Sequence, residues 1–189
     1  MERKHKVGDQ APDFQVTSPW SSDEESFWKR ASGRTSILFF LRYYGCLICQ
    51  LEIKKIRDEW ETFSKDRLDV YVIIQSKNET IRKNTEETEW PFYLICDPDA
   101  KIYDSFHVSA GNILQFLHPS SLPKVVESLR AGNKHGKFEG KETQMPAVFG
   151  VDSQNQIIYS HYGKHISDLP DFSTIINSCC NEHFTSKTK

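Results

Sequence analysis

Cys46 and Cys49 stand three residues apart in Gly45-Cys46-Leu47-Ile48-Cys49, and the apolar pattern that follows them starts a helix. Both thiols are thus expected in the first helical turn. The unpaired N–H groups there and the positive end of the helix dipole favour a thiolate, and Arg42, three residues ahead of the glycine, adds positive charge. Across a single turn the two sulfurs can also join, so the pair is expected to cycle between dithiol and disulfide. A CxxC is equally half of a structural zinc site, for which Cys179-Cys180 or one of the seven histidines would have to supply the rest. Adjacent cysteines on one helix chelate poorly and no second CxxC occurs, so redox exchange is the preferred reading. Cys96, at the end of a strand, and Cys179, on an apolar helix face, read as core filler. Cys180 lies about 100° further round that helix and is expected to be more exposed, in a position that could resolve an oxidised sulfur.

The elements that must hold this pair follow from periodicity. Thr35 to Leu41 is a continuous apolar run with aromatics, which predicts a central strand buried on both faces. From Cys49 the residues Ile53, Ile56, Trp60 and Phe63 form one helical stripe, with Lys54, Lys55, Asp58 and Glu59 on other faces. Leu68 to Ile74 and Phe92 to Cys96 predict two more strands, and the charged segment from Asn78 to Glu89 a solvated helix. A helix capped by Ser120 or Ser121, with Pro123 in its first turn and Gly132 beyond its end, is expected to turn Leu122, Val125, Val126 and Leu129 to one face. After a polar surface loop from Gly132 to Gln144, Ala147 to Val151 and Gln156 to Ser160 predict a hairpin joined at Asp152 to Asn155. Asp168 is expected to cap a last helix bearing Phe172, Ile175, Ile176 and Cys179. Pro146 has no N–H to donate and belongs at a strand start or in a special turn. The order implies an α/β, three-layer α/β/α sandwich with a central mixed sheet, parallel in its first half and antiparallel in its second. It occupies residues 1–183, with 184–189 a polar C-terminal tail.

Composition bounds the function. The 189 residues are 38% hydrophobic and 26% charged, enough for one domain that needs no disulfide staples. With 24 basic against 26 acidic residues the chain lacks the field that nucleic-acid binding needs. The longest apolar run, Ile37 to Leu41, is far too short to cross a membrane, and the charged N-terminus has no export signal. An odd cysteine count then implies reduced thiols, with the cytoplasm the expected location. Gly132 to Lys137 is not a phosphate loop, since it has three residues between its glycines and follows a helix. No HExxH or dinucleotide fingerprint occurs, and a Cys/His protease remains a minor option.

Four segments in order resemble the peroxiredoxin-like (AhpC/TSA) branch of the thioredoxin-fold superfamily, from about Val7 to Ile176: VGDQAPDF, ILFFLRYYGCLICQLEI, FYLICDPDAKIYDSFHV and QMPAVFGVDSQNQIIYSHYG. The resemblance implies a thioredoxin-like fold and thiol-dependent redox activity with no metal or organic cofactor. Against the peroxiredoxin pattern P-x-x-x-T-x-x-C, the attacking cysteine falls on Cys49 and Glu52 matches an acidic position. The proline position holds Arg42, the threonine position holds Cys46, and the family arginine near the closing hairpin is not apparent at Met145-Pro146-Ala147. Against thioredoxin-type CxxC enzymes, Cys46 is the exposed nucleophile, Cys49 the resolving thiol, and Pro146 a cis-proline facing them whose preceding backbone pairs with an incoming chain. The primary expectation is a thiol oxidoreductase whose Cys46/Cys49 dithiol serves exchange and antioxidant homeostasis. Its partners are a disulfide or peroxide substrate and a thioredoxin- or glutathione-type reductant. The alternatives are a thiol peroxidase with peroxidatic Cys49 and resolving Cys46, and a non-catalytic redox-sensing or binding module on the same fold.

Overall fold

The computed structural model describes residues 3–180. In chain order these form β1 (Gln15–Thr17), β2 (Glu24–Ser26), α1 (Phe27–Arg30), β3 (Thr35–Phe40), α2 (Leu47–Asp58), α3 (Trp60–Lys65), β4 (Leu68–Ile74), α4 (Asn78–Asn84), β5 (Tyr93–Cys96), α5 (Lys101–Ser105), α6 (Ile113–Phe116), α7 (Ser121–Arg130), β6 (Ala147–Val151), β7 (Ile157–Tyr162) and α8 (Phe172–Cys180). The proposed tail at 184–189 lies outside the described residues.

The main sheet runs β5-β4-β3-β6-β7, parallel from β5 to β3 and antiparallel from β3 to β7. This is the expected mixed sheet, and with helices on both faces it gives the α/β thioredoxin-like architecture. Strand alternation sends Ile37, Phe39 and Leu41 of β3 and its extension, with Val70, Val72 and Ile74 of β4, into one core beside α2 and α8. Leu38, Phe40, Tyr71 and Ile73 point into a second core with Phe27, Tyr103 and Phe106. A central strand buried on both faces is what the run without polar interruption requires.

Three expectations are corrected. The helix that carries Ile53 to Phe63 is broken at Glu59, so α2 and α3 are separate. Asp168 does not cap α8, which starts at Phe172; Pro170 disfavours helical backbone at Leu169, and the Asp168 carboxylate instead accepts the Lys164 N–H at 2.8 Å. The apolar residues of α7, Val125 excepted, do not face the core. Ser121 and Ser128 do, the latter donating to the Leu47 carbonyl at 2.6 Å, while Leu122 and Leu129 are 66% and 54% exposed. Two serines that find buried partners let α7 lie against α2 and leave its apolar stripe outside.

Candidate active site

β3 ends at Phe40, and Leu41 to Gly45 carry the chain from the sheet to α2. Cys46 is the N-cap of α2, with extended backbone, and its sulfur accepts the Cys49 N–H at 3.4 Å. A sulfur thus stands where Ser, Thr or Asp commonly caps. Cys49 lies in the first turn, and its sulfur accepts the Arg42 backbone N–H at 3.3 Å. Both cysteines are free thiols. The structure brings together the two sulfurs that the spacing indicated and adds a close cation, with Arg42 Nη2 donating to Cys46 Sγ at 2.8 Å.

These contacts split the pair. A hydrogen bond from the Cys49 thiol, followed by the nearby Arg42 charge, brings the Cys46 pKa down to about 6 against the cost of its burial. Burial, reinforced by the neighbouring Cys46 sulfur, pushes Cys49 well above the ordinary thiol range. Burial also works against the charge of Arg42, but the two sulfurs outweigh it and its pKa is raised. These shifts favour the thiolate at Cys46 and the protonated thiol at Cys49.

Cys46 is not the exposed nucleophile expected. Its exposure is 0% and that of Cys49 is 3%. The segment 132–144, read from sequence as a surface loop, folds over the thiol turn. The Gly136 N–H donates to the Gly45 carbonyl at 2.8 Å, Gln50 Nε2 to the Lys134 carbonyl at 2.9 Å, and Tyr43 Oη meets His135 Nε2 at 3.3 Å. Further along, Arg42 Nη1 donates to the Glu142 carbonyl and lies 3.7 Å from its carboxylate. Glu142 is thus part of the site although sequence reasoning passed over it. No local signal marks a glutamate 100 residues from its partner in a segment without periodicity.

Pro146 stands just ahead of β6, next to the end of β3 through the Phe40–Ala147 pairing. The expected cis bond is overturned: no cis peptide occurs among the described residues, and trans is the ordinary state of an X-Pro bond. The Met145 carbonyl already accepts from Gln144 Nε2 at 3.3 Å, and the Pro146 carbonyl accepts the Gly163 N–H at 2.9 Å. The backbone at 145–146 is therefore engaged within the chain. Glu52 is buried and paired with Lys124 at 2.6 Å, tying α2 to α7. Cys179 is buried, and Cys96 and Cys180 are half-buried. Among the described residues, no group of three or more His, Cys, Asp or Glu could hold a metal ion.

The model of the AhpC/TSA family matches residues 7–160. Among solved structures, the peroxidoxin BcpB of Mycobacterium tuberculosis superposes with a TM-score of 0.66 at 15% identity, over 94% of this chain and 97% of that one. The reduced 2-Cys peroxiredoxin of Plasmodium vivax does so with a TM-score of 0.64 at 14% identity, over 96% of this chain and 84% of that one. At such identity these likenesses speak for the fold. No curated protein sequence matches the chain.

Proposed function

This chain belongs to the AhpC/TSA family of the thioredoxin-fold superfamily, whose chemistry is thiol-dependent oxidoreduction, and on that premise we propose that it is a thiol peroxidase working through Cys46 and Cys49. The observation that carries the reading is the placement of Cys46 Sγ at a helix start, 2.8 Å from the buried Arg42 guanidinium and 3.4 Å from the Cys49 N–H, which favours the thiolate there. In the proposed cycle the Cys46 thiolate attacks the terminal peroxide oxygen. An S–O bond forms, the O–O bond breaks, and the leaving oxygen takes the electron pair together with the Cys49 proton. Cys46 is then a sulfenic acid, and the peroxide has been reduced to an alcohol or water. The Cys49 thiolate attacks the Cys46 sulfur, the S–S bond forms, and hydroxide leaves and is protonated by solvent. A cellular dithiol or a glutathione-type thiol returns both sulfurs to the reduced state, which suits a reducing compartment such as the cytoplasm. In this reading Pro146 takes no chemical step.

A second reading keeps peroxide as substrate and reverses the roles. Cys49 occupies the family's attacking position, and its sulfur accepts a backbone N–H from Arg42 at 3.3 Å. Stopped-flow oxidation of the single-cysteine variants separates the two. Cys49→Ser is expected to react with peroxide and stop at a sulfenic acid trapped by dimedone, whereas Cys46→Ser is expected to react at least about a hundredfold more slowly. The reverse ranking assigns the attack to Cys49. Oxidation of neither variant, nor of the wild type, by peroxide would leave disulfide exchange or a sensing role.

A further inference from the structure

α7 is amphipathic in an inverted sense. Its serines Ser121 and Ser128 are buried against the molecule, while Leu122 and Leu129, seven positions apart and so on one side of the helix, face solvent. The apolar face continues beyond α7: Leu117 at the end of α6, Leu122 and Phe138 border one hollow, and Leu114 lies three residues before Leu117. All five side chains are between 54% and 76% exposed. Large apolar residues gathered in this way mark an interaction surface, whereas scattered ones do not. Cations flank them. Arg130 follows Leu129, Lys137 precedes Phe138, and Lys134 and Lys141 stand three residues to either side of that second pair; all four are exposed, and none has a carboxylate partner among the described residues. The carboxylates nearby are paired within the fold, Glu52 with Lys124 at 2.6 Å, Glu127 with Lys55 at 3.0 Å and Glu142 with Arg42 at 3.7 Å. The chain as a whole has a net charge of -2, so this positive balance is local to the face.

Charge and composition together select the occupant. A second copy of the chain would bring the same cations to the rim and no free carboxylate to meet them, which disfavours self-association. Interfaces with other proteins draw mainly on Tyr, Trp and Arg anchors and little on Leu. Here four of the five side chains are Leu and the fifth is Phe. Leucine and phenylalanine on one face, with lysine and arginine around it, is the pattern that settles into the boundary between lipid headgroups and acyl chains, and anionic lipids strengthen the attraction. No helix among the described residues is long and apolar enough to cross a bilayer, so the contact is with its surface. We infer that α6, α7 and Phe138 form a docking face for an anionic membrane surface, the leucines entering the headgroup boundary and Arg130, Lys134, Lys137 and Lys141 meeting lipid phosphates. Neither thiol takes part in this contact, which therefore stands apart from the peroxidase reading.

Vesicle sedimentation with the full chain is the test. Partition into vesicles of equal phosphatidylglycerol and phosphatidylcholine is expected to exceed that into phosphatidylcholine alone at least about tenfold, and to fall about tenfold between low salt and about 0.5 M NaCl as the cations are screened. Leu122→Glu/Leu129→Glu, which puts carboxylates on the exposed stripe, is expected to lose at least about tenfold on both vesicles while its urea midpoint stays at the wild-type value. Lys134→Ala/Lys137→Ala is expected to lose about tenfold on the anionic vesicles and to match wild type on the neutral ones. Cys46→Ser is expected to partition as wild type does. Binding that survives in Leu122→Glu/Leu129→Glu overturns the role of the face, and equal partition of the wild type into both vesicles overturns that of the cations. Absence of partition into the anionic vesicles overturns the proposal altogether. If sedimentation equilibrium then finds a dimer that Leu122→Glu/Leu129→Glu dissociates, the face belongs to a second copy.

Discussion

The charge on Cys46 has identifiable sources, and each can be removed singly. The rate of iodoacetamide alkylation against pH is expected to show a midpoint near 6, rising toward the ordinary thiol range of about 8.5 in Cys49→Ala, which removes the leading hydrogen bond, and in Arg42→Met, which removes the cation. The same shift makes stability depend on pH. A thiol whose folded pKa lies below its unfolded one stabilises the native state fully above the unfolded value and loses that contribution as pH falls through about 6. Cys49, raised by burial, acts with the opposite sign and opposes folding above the ordinary thiol pKa. The urea midpoint of the reduced wild type relative to Cys46→Ser is therefore expected to be higher at pH 8 than at pH 5.5, and a flat difference would refute the assignment of the charge. At this scale the sequence was informative where interactions are local. The CxxC, its place at a helix start and the nearby Arg42 were all readable from spacing. Glu142 and the burial of Cys46 were not, because both depend on contacts made by a distant segment with no periodicity to announce where it packs.

The element that closes the site is the segment 132–144, which has no helix or strand and is held by hydrogen bonds both to the thiol turn and to Gln75, Thr80, Val108, Gly111 and Ser128. Its closest approach is backbone against backbone: a Cβ on Gly45 would lie 2.5 Å from the Lys137 carbonyl oxygen and 2.9 Å from the Gly136 carbonyl carbon. Neither neighbour is a side-chain tip that could swing away, so Gly45→Ala must push the segment outward. The expected cost is about 1–3 kcal/mol in urea unfolding, accompanied by faster alkylation of Cys46 as its cover lifts. An equally stable variant with unchanged alkylation would mean that the segment does not seal the thiols. The limits of sequence reading at this scale have a physical pattern. β4 was delimited residue for residue because its apolar run from Val70 to Ile74 is buried on both faces, with Asp69 near its start paired to Arg34. The orientation of α7 was misjudged because Ser121 and Ser128, polar by type, are satisfied inside, by Ser167 Oγ at 3.0 Å and the Leu47 carbonyl. Amphipathic spacing identified the helix but not which of its faces the core accepts.

At the scale of the molecule, the site sits where two parallel strands end and must be held apart at a fixed distance. Beyond β3 the Leu41 carbonyl has left the ladder, and it meets Tyr103 Oη, which donates to it and also lies 2.8 Å from the Ile73 carbonyl of β4. Tyr103 is fully buried on α5, whose first turn is fixed in turn by Asp97: its carboxylate accepts the N–H groups of Lys101, Ile102 and Tyr103 at 2.9, 2.7 and 3.3 Å. One hydroxyl thus links β3, β4 and a helix on the face of the sheet opposite α2, directly beneath the residue that precedes Arg42. Tyr103→Phe keeps the ring and removes only this link, leaving buried carbonyls with one donor fewer. The expected loss is about 1–3 kcal/mol, or about 2–12 °C in Tm for a domain of this size. Because the donors to Cys46 come from Arg42 and α2 rather than from α5, the alkylation midpoint near 6 is expected to stay in place in this variant. A lowered Tm with an unmoved midpoint separates the scaffold that bears the site from the groups that charge it, whereas a midpoint that moves with Tyr103 would make the spacing of the strand ends part of the thiol chemistry.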